Sequence, residues 1–587
     1  MPTDPRRSVP AIDQSVIHHP MHMKSFHTII NTLAASLLVA FTASTVAAQY
    51  VSRSQVSSHL TRRGAHYDVA NIRVPEPGSL ESELGKQFET VRLLRVSGTL
   101  NRNDIQFLKK LCKRGKAVDT EGRKVDNYID LDLEMVRLET QSLFGRGRTY
   151  DIESDAFSYC THLRSIVLPD RINSIGRRAF YDCDDLEEVV MPPSVTAIGE
   201  SAFESCGSLA HIDLPRSLES IGNKAFKDCR QMRTIRLEDG LTELGAEALA
   251  DMPITRIELP RTLRFIGKKA FERTRLRTVA IAAGTQIEGN DLGYMPQLTE
   301  YVIEDGHPTL RCYDGLLYDP DMTTLLRCPP ALPGTVDVPE GVTAIADAAF
   351  SRCTGIARVT LPQSLSSIGQ NAFSGCSSLQ SINLPEDLIN MGNGAFSQCS
   401  SLTAIALPAA ITLVGAETFE GCSSLQRVDF SASVTVIGER AFKKCGLTRL
   451  DLPAALDKIS KEAFRDCNNL TSVTIPHATR FILTEAFRGC KNVQHLELGE
   501  GVTTIGDNAF RDMAITTLTL PPGVTTIGKK IVEKCKNLTR IDCHAVNPPT
   551  LEKSSNEKIP LFVPGGSVAA YKTTKNWKGF KQISALP

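Results

Sequence analysis

The chain is poor in the residues that carry chemistry. Its 587 residues include one tryptophan and 12 histidines, and 66 basic side chains cancel 66 acidic ones. That balance removes the basic footprint a nucleic-acid partner needs. The short run Lys109, Lys110, Lys113, Arg114 and Lys116 reads as a solvated helix face. Beyond residue 48 no histidines stand at H-E-x-x-H spacing, and no G-x-S-x-G elbow occurs. Gly85-Lys86 lacks the upstream glycine of a phosphate-binding loop, and no C-x-x-C pair opens a zinc site. Asp319-Pro320-Asp321 is a turn signal before it is a calcium ligand pair. Beyond residue 48 no stretch approaches the roughly 20 apolar residues of a membrane helix. These absences leave an enzyme without machinery, so we expect no catalysis, cofactor or metal.

What the chain has is repetition. Ala156-Phe157, Ala179-Phe180, Ala202-Phe203 and Ala225-Phe226 follow one another every 23 residues. The pair resumes at Ala349-Phe350, Ala372-Phe373 and Ala395-Phe396 and runs to Ala509-Phe510. A period in this range marks a solenoid, in which each repeat is one coil. Residues 163–183 and 379–399 share the template L-x-x-I-x-L-P-x-x-L-x-x-I-G-x-x-A-F-x-x-C. The I-x-L stretch alternates apolar and polar, as a half-buried strand does, and proline then ends it. Gly176, Gly199, Gly222, Gly369 and Gly392 suit a backbone turn or a close approach between coils. A-F-x-x-C suits a short helical or irregular turn on the opposite side. One residue is missing after Met252, Cys445 and Met513, which places turns there, because a lost residue would flip a strand.

These residues resemble the leucine-rich repeats of the BspA-like family of bacterial surface proteins, over about residues 151–543. The resemblance implies an α/β-type solenoid of about 23-residue coils, with parallel strands on one face and caps at both ends. It also implies an extracellular binding or adhesion role. Residues 312–345 look like the hairpin-bearing unit that interrupts such arrays. The tail through Tyr571, Trp577 and Phe580 is similar to the family's closing cap. The expected order is a leader or mis-assigned start at 1–20, a signal segment at 21–48 and an N-terminal cap at 49–150. A first block at 151–274, the altered rung and hairpin at 275–344, a second block at 345–543 and a cap at 544–587 follow. Within the N-terminal cap, strands are expected at 91–96 and 129–133 around a helix at 104–111.

The signal segment opens on Lys24, continues through apolar residues 29–46 and ends in the small cleavage site Val46-Ala47-Ala48. Translation is expected to start at Met21 or Met23 and the mature chain at Gln49. Without a cysteine at that site, a lipoprotein is not expected. Twelve of the 16 cysteines fall three residues after the A-F position, from Cys160 to Cys535. Export invites disulfides, but stacked side chains point in parallel rather than toward each other. Met252, Thr274 and Met513 take the same slot, which fits a buried apolar position. Off the column lie Cys112, Cys312, Cys328 and Cys543; whether Cys312 and Cys328 pair stays open.

The residues flanking the strand isoleucine point outward. They include His211, Asp213, Arg236, Arg256, Glu258 and Arg358, then Arg427, Asp429, Arg449, Asp451, His495, Glu497, Arg540 and Asp542. Such a polar, mixed-charge face keeps a sheet soluble, with opposite charges expected to attract across neighbouring rungs. It also suits docking of a protein ligand, host extracellular matrix or another bacterial surface protein, with arginine as anchor. The expected function is therefore an exported, adhesin-like interaction protein working through its strand face or hairpin. A carbohydrate-binding component of a surface glycan-uptake system is the alternative.

Overall fold

The computed structural model describes residues 69–114, 117–118, 124–125, 128–139, 151–553 and 557–587. The expected leader, signal segment and first residues of the N-terminal cap lie outside them. From Val69 onward the chain is a parallel β-solenoid of about 23-residue coils with little helix. Described α-helix is confined to the two ends, at Leu80–Leu84, Arg102–Cys112 and Val568–Thr573.

Two strand ladders run through the coils. The first uses the predicted I-x-L positions. Its opening sheet joins Val69–Val74, Leu93–Leu100, Ile129–Leu138, Leu163–Val167 and Glu188–Val190, all parallel. Further on this ladder is intermittent, with regular strand absent around Ile212, Ile235 and Leu450. The second ladder uses the two residues before the conserved glycine, where no strand was expected. It is the more continuous of the two. Seven strands stack in order from Asp151–Ile152 to Gln286–Ile287, and seven more from Leu413–Val414 to Thr550–Leu551. Identical positions pair, as Ile175 with Ile198 and Ile198 with Ile221, so the apolar residue of each pair always faces inward.

The glycines that follow serve close approach. A Cβ on Gly199 would lie 2.8 Å from the Arg177 nitrogen, and one on Gly222 2.8 Å from that of Glu200, both on the preceding coil. Neither glycine has a positive φ.

The A-F-x-x-C segment is neither helix nor strand, yet its backbone is satisfied. Every second N–H crosses to the next coil: Arg178 to Glu200, Phe180 to Ala202 and Asp182 to Glu204, at 2.8–2.9 Å. Those between close short turns within the coil, as from Ala179 to Gly176 and Tyr181 to Arg178. Two residues per coil adopt positive φ to allow this, for example Arg178 at 54° and Asp182 at 57°. The residue before the cysteine is accordingly often aspartate or glycine, as at Asp228, Asp466, Gly375 and Gly421.

Inside, phenylalanine rings stack coil on coil. Phe157, Phe180, Phe203 and Phe226 lie 5.2–5.4 Å apart with nearly parallel planes. A second stack runs from Phe350 to Phe510. Leu249 fills the same slot between Phe226 and Phe271 and is fully buried. The one-residue deletions beside Met252, Cys445 and Met513 fall outside both ladders.

At the N-terminal side, Asn101 and Asp104 form a capping box on the helix Arg102–Cys112. The buried Asp104 carboxylate also accepts from the Gly78 and Leu80 amides, tying the preceding loop to it. At the other end Leu561–Val563 and Ile583–Ala585 extend the first ladder. Tyr571 Oη donates to the Ala545 carbonyl and Trp577 Nε1 to that of Pro549, each at 2.7 Å.

Phe396 sits between Phe373 and Phe419, with ring centroids at 5.1 and 5.6 Å, and is fully buried. Phe396→Ala should cost about 3–5 kcal/mol by urea denaturation. Phe396→Leu should cost clearly less, because Leu249 shows that the slot accepts leucine.

Candidate functional site

All fourteen outward residues named from the sequence lie away from the core. Arg358, Arg427, Asp429, His495, Glu497, Arg540 and Asp542 stand on regular strands of the first ladder, whereas His211, Asp213, Arg236, Arg256, Glu258, Arg449 and Asp451 stand where it is interrupted.

Cross-rung attraction, as expected, holds at Arg95–Asp132 (3.6 Å) and Arg216–Glu238 (3.7 Å), but most charges named on this face pair along a strand, two residues apart. Arg427 Nε donates to Asp429 Oδ1 at 2.6 Å, Arg449 Nε to Asp451 Oδ1 at 2.8 Å and Arg540 Nε to Asp542 Oδ1 at 2.8 Å. His211 Nε2 lies 2.8 Å from Asp213 Oδ1, and Arg236 Nε lies 2.9 Å from Glu238 Oε1. The reason is register. The ladder partners of Arg427 and Asp429 are Ala404 and Ala406, and those of Arg540 and Asp542 are Thr517 and Thr519. No opposite charge stands there, while residues two apart on a strand share a face. Arg540 also lies over the Phe562 ring at 4.1 Å.

Exposed pairs of this kind contribute little to stability. What they do is orient. The arginine bonds engage Nε and leave the Arg427 and Arg449 side chains 72% and 80% exposed, so the face offers donors that each stand beside a carboxylate.

The opposite, A-F-x-x-C face carries a charge network that sequence reasoning missed. At its centre is Glu462, only 6% exposed. Its Oε2 receives Lys443 Nζ at 2.9 Å and Arg465 Nη1 at 3.1 Å, with Arg440 Nε at 3.5 Å. Arg465 and Arg488 then share Glu485, and Arg440 reaches Glu417. The network spans four consecutive coils. Its signal was charge flanking the A-F pair in successive repeats, as in Arg440-Ala-Phe-Lys443, Glu462-Ala-Phe-Arg465 and Glu485-Ala-Phe-Arg488.

A family model described as a BspA type leucine rich repeat region matches residues 150–301, 334–448 and 457–555, in six copies. The chain belongs to this family. Solved structures similar to it include a leucine-rich repeat protein from Eubacterium ventriosum, 20% identical, covering 61% of this chain and 86% of that one, with a TM-score of 0.44. A leucine rich cell surface protein from Faecalibacterium prausnitzii is 24% identical, with coverages of 61% and 85% and a TM-score of 0.45. A leucine-rich repeat protein from Bacteroides ovatus is also 24% identical, with coverages of 67% and 82% and a TM-score of 0.35. No curated protein matches the chain. Among the described residues, no helix is long and apolar enough to cross a membrane.

In this BspA-type array the column cysteines are free thiols with a defined bond. Cys183 Sγ donates to the Phe157 carbonyl at 3.1 Å, Cys206 to Phe180 at 3.1 Å and Cys399 to Phe373 at 3.1 Å. The same contact recurs down to Cys535 and Phe510. Each thiol thus ties its coil to the preceding one, which a spacing argument could not reveal. Burial pushes Cys422 and Cys467 up to about 12, so thiolate is scarce at neutral pH. Cys312 and Cys328 are also free, and Cys312 Sγ donates to the Tyr301 carbonyl at 2.9 Å.

Column thiols should therefore not react with Ellman's reagent in the folded protein at about pH 8, and should all react once it unfolds. Cys312, half-buried and raised only to about 11, should react first. Burial alone would raise the Glu462 carboxyl, but the Lys443 hydrogen bond and the charges of Lys443, Arg465 and Arg440 win and lower it. A lowered carboxyl contributes stability above its unfolded value of 4.5 and loses it as pH falls through the folded one. Glu462→Gln should thus cost about 1–3 kcal/mol at neutral pH. The gap to the parent in urea melts should shrink as pH falls below about 4.5.

Proposed function

We propose that this BspA-type protein is an exported, non-enzymatic interaction protein that binds a protein ligand through its strand face, acting as an adhesin-like molecule at a bacterial surface. The observation that supports this most is the row of exposed arginine–acid pairs. Arg427, Arg449 and His211 keep 62–80% of their side-chain surface exposed while fixed to a neighbouring carboxylate. Pre-oriented guanidiniums lose less freedom on docking than free ones. They also suit polypeptide surfaces, where carbonyls, carboxylates and amides alternate.

The family and the apolar segment before Gln49 support the export part of this reading. The segments at both ends are read as caps, with Trp577 and Tyr571 closing the last coils. The glycan alternative has one exposed ring to draw on, Tyr313 of the hairpin, 52% exposed. Phe562 lies beneath Arg540, and the exposed Tyr159 ring is met by Lys113 at 5.5 Å and Arg178 at 5.8 Å, so neither ring is an open stacking platform.

The test is capture of host and bacterial surface proteins by residues 49–587, with a triple variant Arg427→Ala, Arg449→Ala, Arg540→Ala beside the parent. The expected result is a captured protein whose binding falls at least about tenfold in the variant, together with surface-protease sensitivity on intact cells. Equal capture by both proteins would remove the strand face from the account, and a purely cytoplasmic, protected protein would remove export.

A further inference from the structure

The array's columns all end in one place. The second ladder, which also has a break between Asn390–Met391 and Leu413–Val414, stops at Gln286–Ile287 and resumes where Thr324–Arg327 pairs with Ala344–Ile345. In the first ladder Glu300–Ile303 pairs backward with Thr278–Ile281, and Gly334–Asp337 pairs forward with Ile356–Thr360. The A-F phenylalanine column has Phe271 on one side and Phe350 on the other. Matches to the repeat family stop at residue 301 and resume at 334. Between lies an antiparallel hairpin, Arg311–Tyr313 with Leu316–Tyr318, whose second strand also pairs antiparallel with Thr324–Arg327.

This hairpin does not simply project from the array. Leu316, Leu317 and Tyr318 are all buried. Successive side chains on a strand point to opposite faces, and here the two faces meet different cores. Leu317, with Leu326 of the next strand, packs among the apolar residues of the first block, alongside Leu310 and Tyr301. Leu316, Tyr318 and Leu325 pack among those of the second block, alongside Ile345 and Phe350.

We propose that residues 311–327 form a partition that divides the solenoid into two blocks which unfold separately. In a stacked array, cooperativity passes from coil to coil through shared apolar surface and ladder hydrogen bonds. Here the apolar surface is split between two clusters. The links that cross are mostly polar: Tyr301 N–H to the Gly315 carbonyl at 3.3 Å, Cys312 Sγ to the Tyr301 carbonyl at 2.9 Å, Ala331 N–H to the Leu298 carbonyl at 2.8 Å, and Arg352 over the Tyr294 ring. The partition also carries a local flaw, because Tyr318 Oη is buried with no hydrogen-bond partner. Such a hydroxyl weakens the block it faces.

The test is a urea titration of residues 49–587 read by hydrogen-exchange mass spectrometry, following peptides around Phe203 and Phe442. Two midpoints are expected. Leu317→Ala should lower the midpoint at Phe203 and leave that at Phe442 unchanged, while Leu316→Ala should do the reverse. Tyr318→Phe, which keeps the ring and should fold, should raise only the midpoint at Phe442. One shared midpoint in the parent, or neighbouring variants that shift both peptides together, would overturn the proposal.

Discussion

Everything in this molecule follows from the spacing between coils. Ring centroids in the regular phenylalanine stacks repeat at about 5 Å, as in Phe180–Phe203 at 5.2 Å and Phe373–Phe396 at 5.1 Å. That distance matches the roughly 4.8 Å between hydrogen-bonded strands. Because each residue sits above its own counterpart, a side chain that fits once fits many times. An apolar residue then gains a like neighbour on both sides, and the whole cost of ordering one coil is offset only by the next. The same spacing makes glycine necessary where backbones meet, as at Gly199 and Gly222, and lets a cysteine thiol reach the phenylalanine carbonyl of the coil before it.

The spacing also separates structure from recognition. Inward columns must repeat, so they carry little information about a partner. Outward positions are free to vary, and the fourteen residues of the strand face do. Their electrostatics are local. Arginine and aspartate two residues apart neutralise each other within one coil, which offsets the like charges that meet where Arg427 and Asp429 lie beside Arg449 and Asp451 of the next coil. On the opposite face the rule differs. There Glu462 and its cations link coil to coil, so that face consolidates the stack.

Much of the architecture was legible in the chain. The Ala-Phe pair, the inward Cys column and the turn positions of the deletions follow from period and hydropathy. The family follows from the same template. Less legible were the second ladder and the turn hydrogen bonds. Two residues such as Ser174–Ile175 are too short to show alternation, and an Asp at positive φ looks like any polar residue. The ion pairs at Arg427 and Arg540 run along the strand, not across rungs as anticipated, because the sequence names charges without saying what stands beside them in the next coil. Ala404, Ala406, Thr517 and Thr519 decided that.

The sequence by itself determined the coil, its period, its inward residues and the place where the repeat is interrupted, because each is a matter of local pattern. Only the tertiary structure decided what the interruption does. Leu316 and Leu317 are adjacent, identical in kind and equally buried, yet they belong to different cores. Nothing in a pair of leucines records that, since which core each joins depends on coils that lie far away along the chain and meet only when the array is stacked.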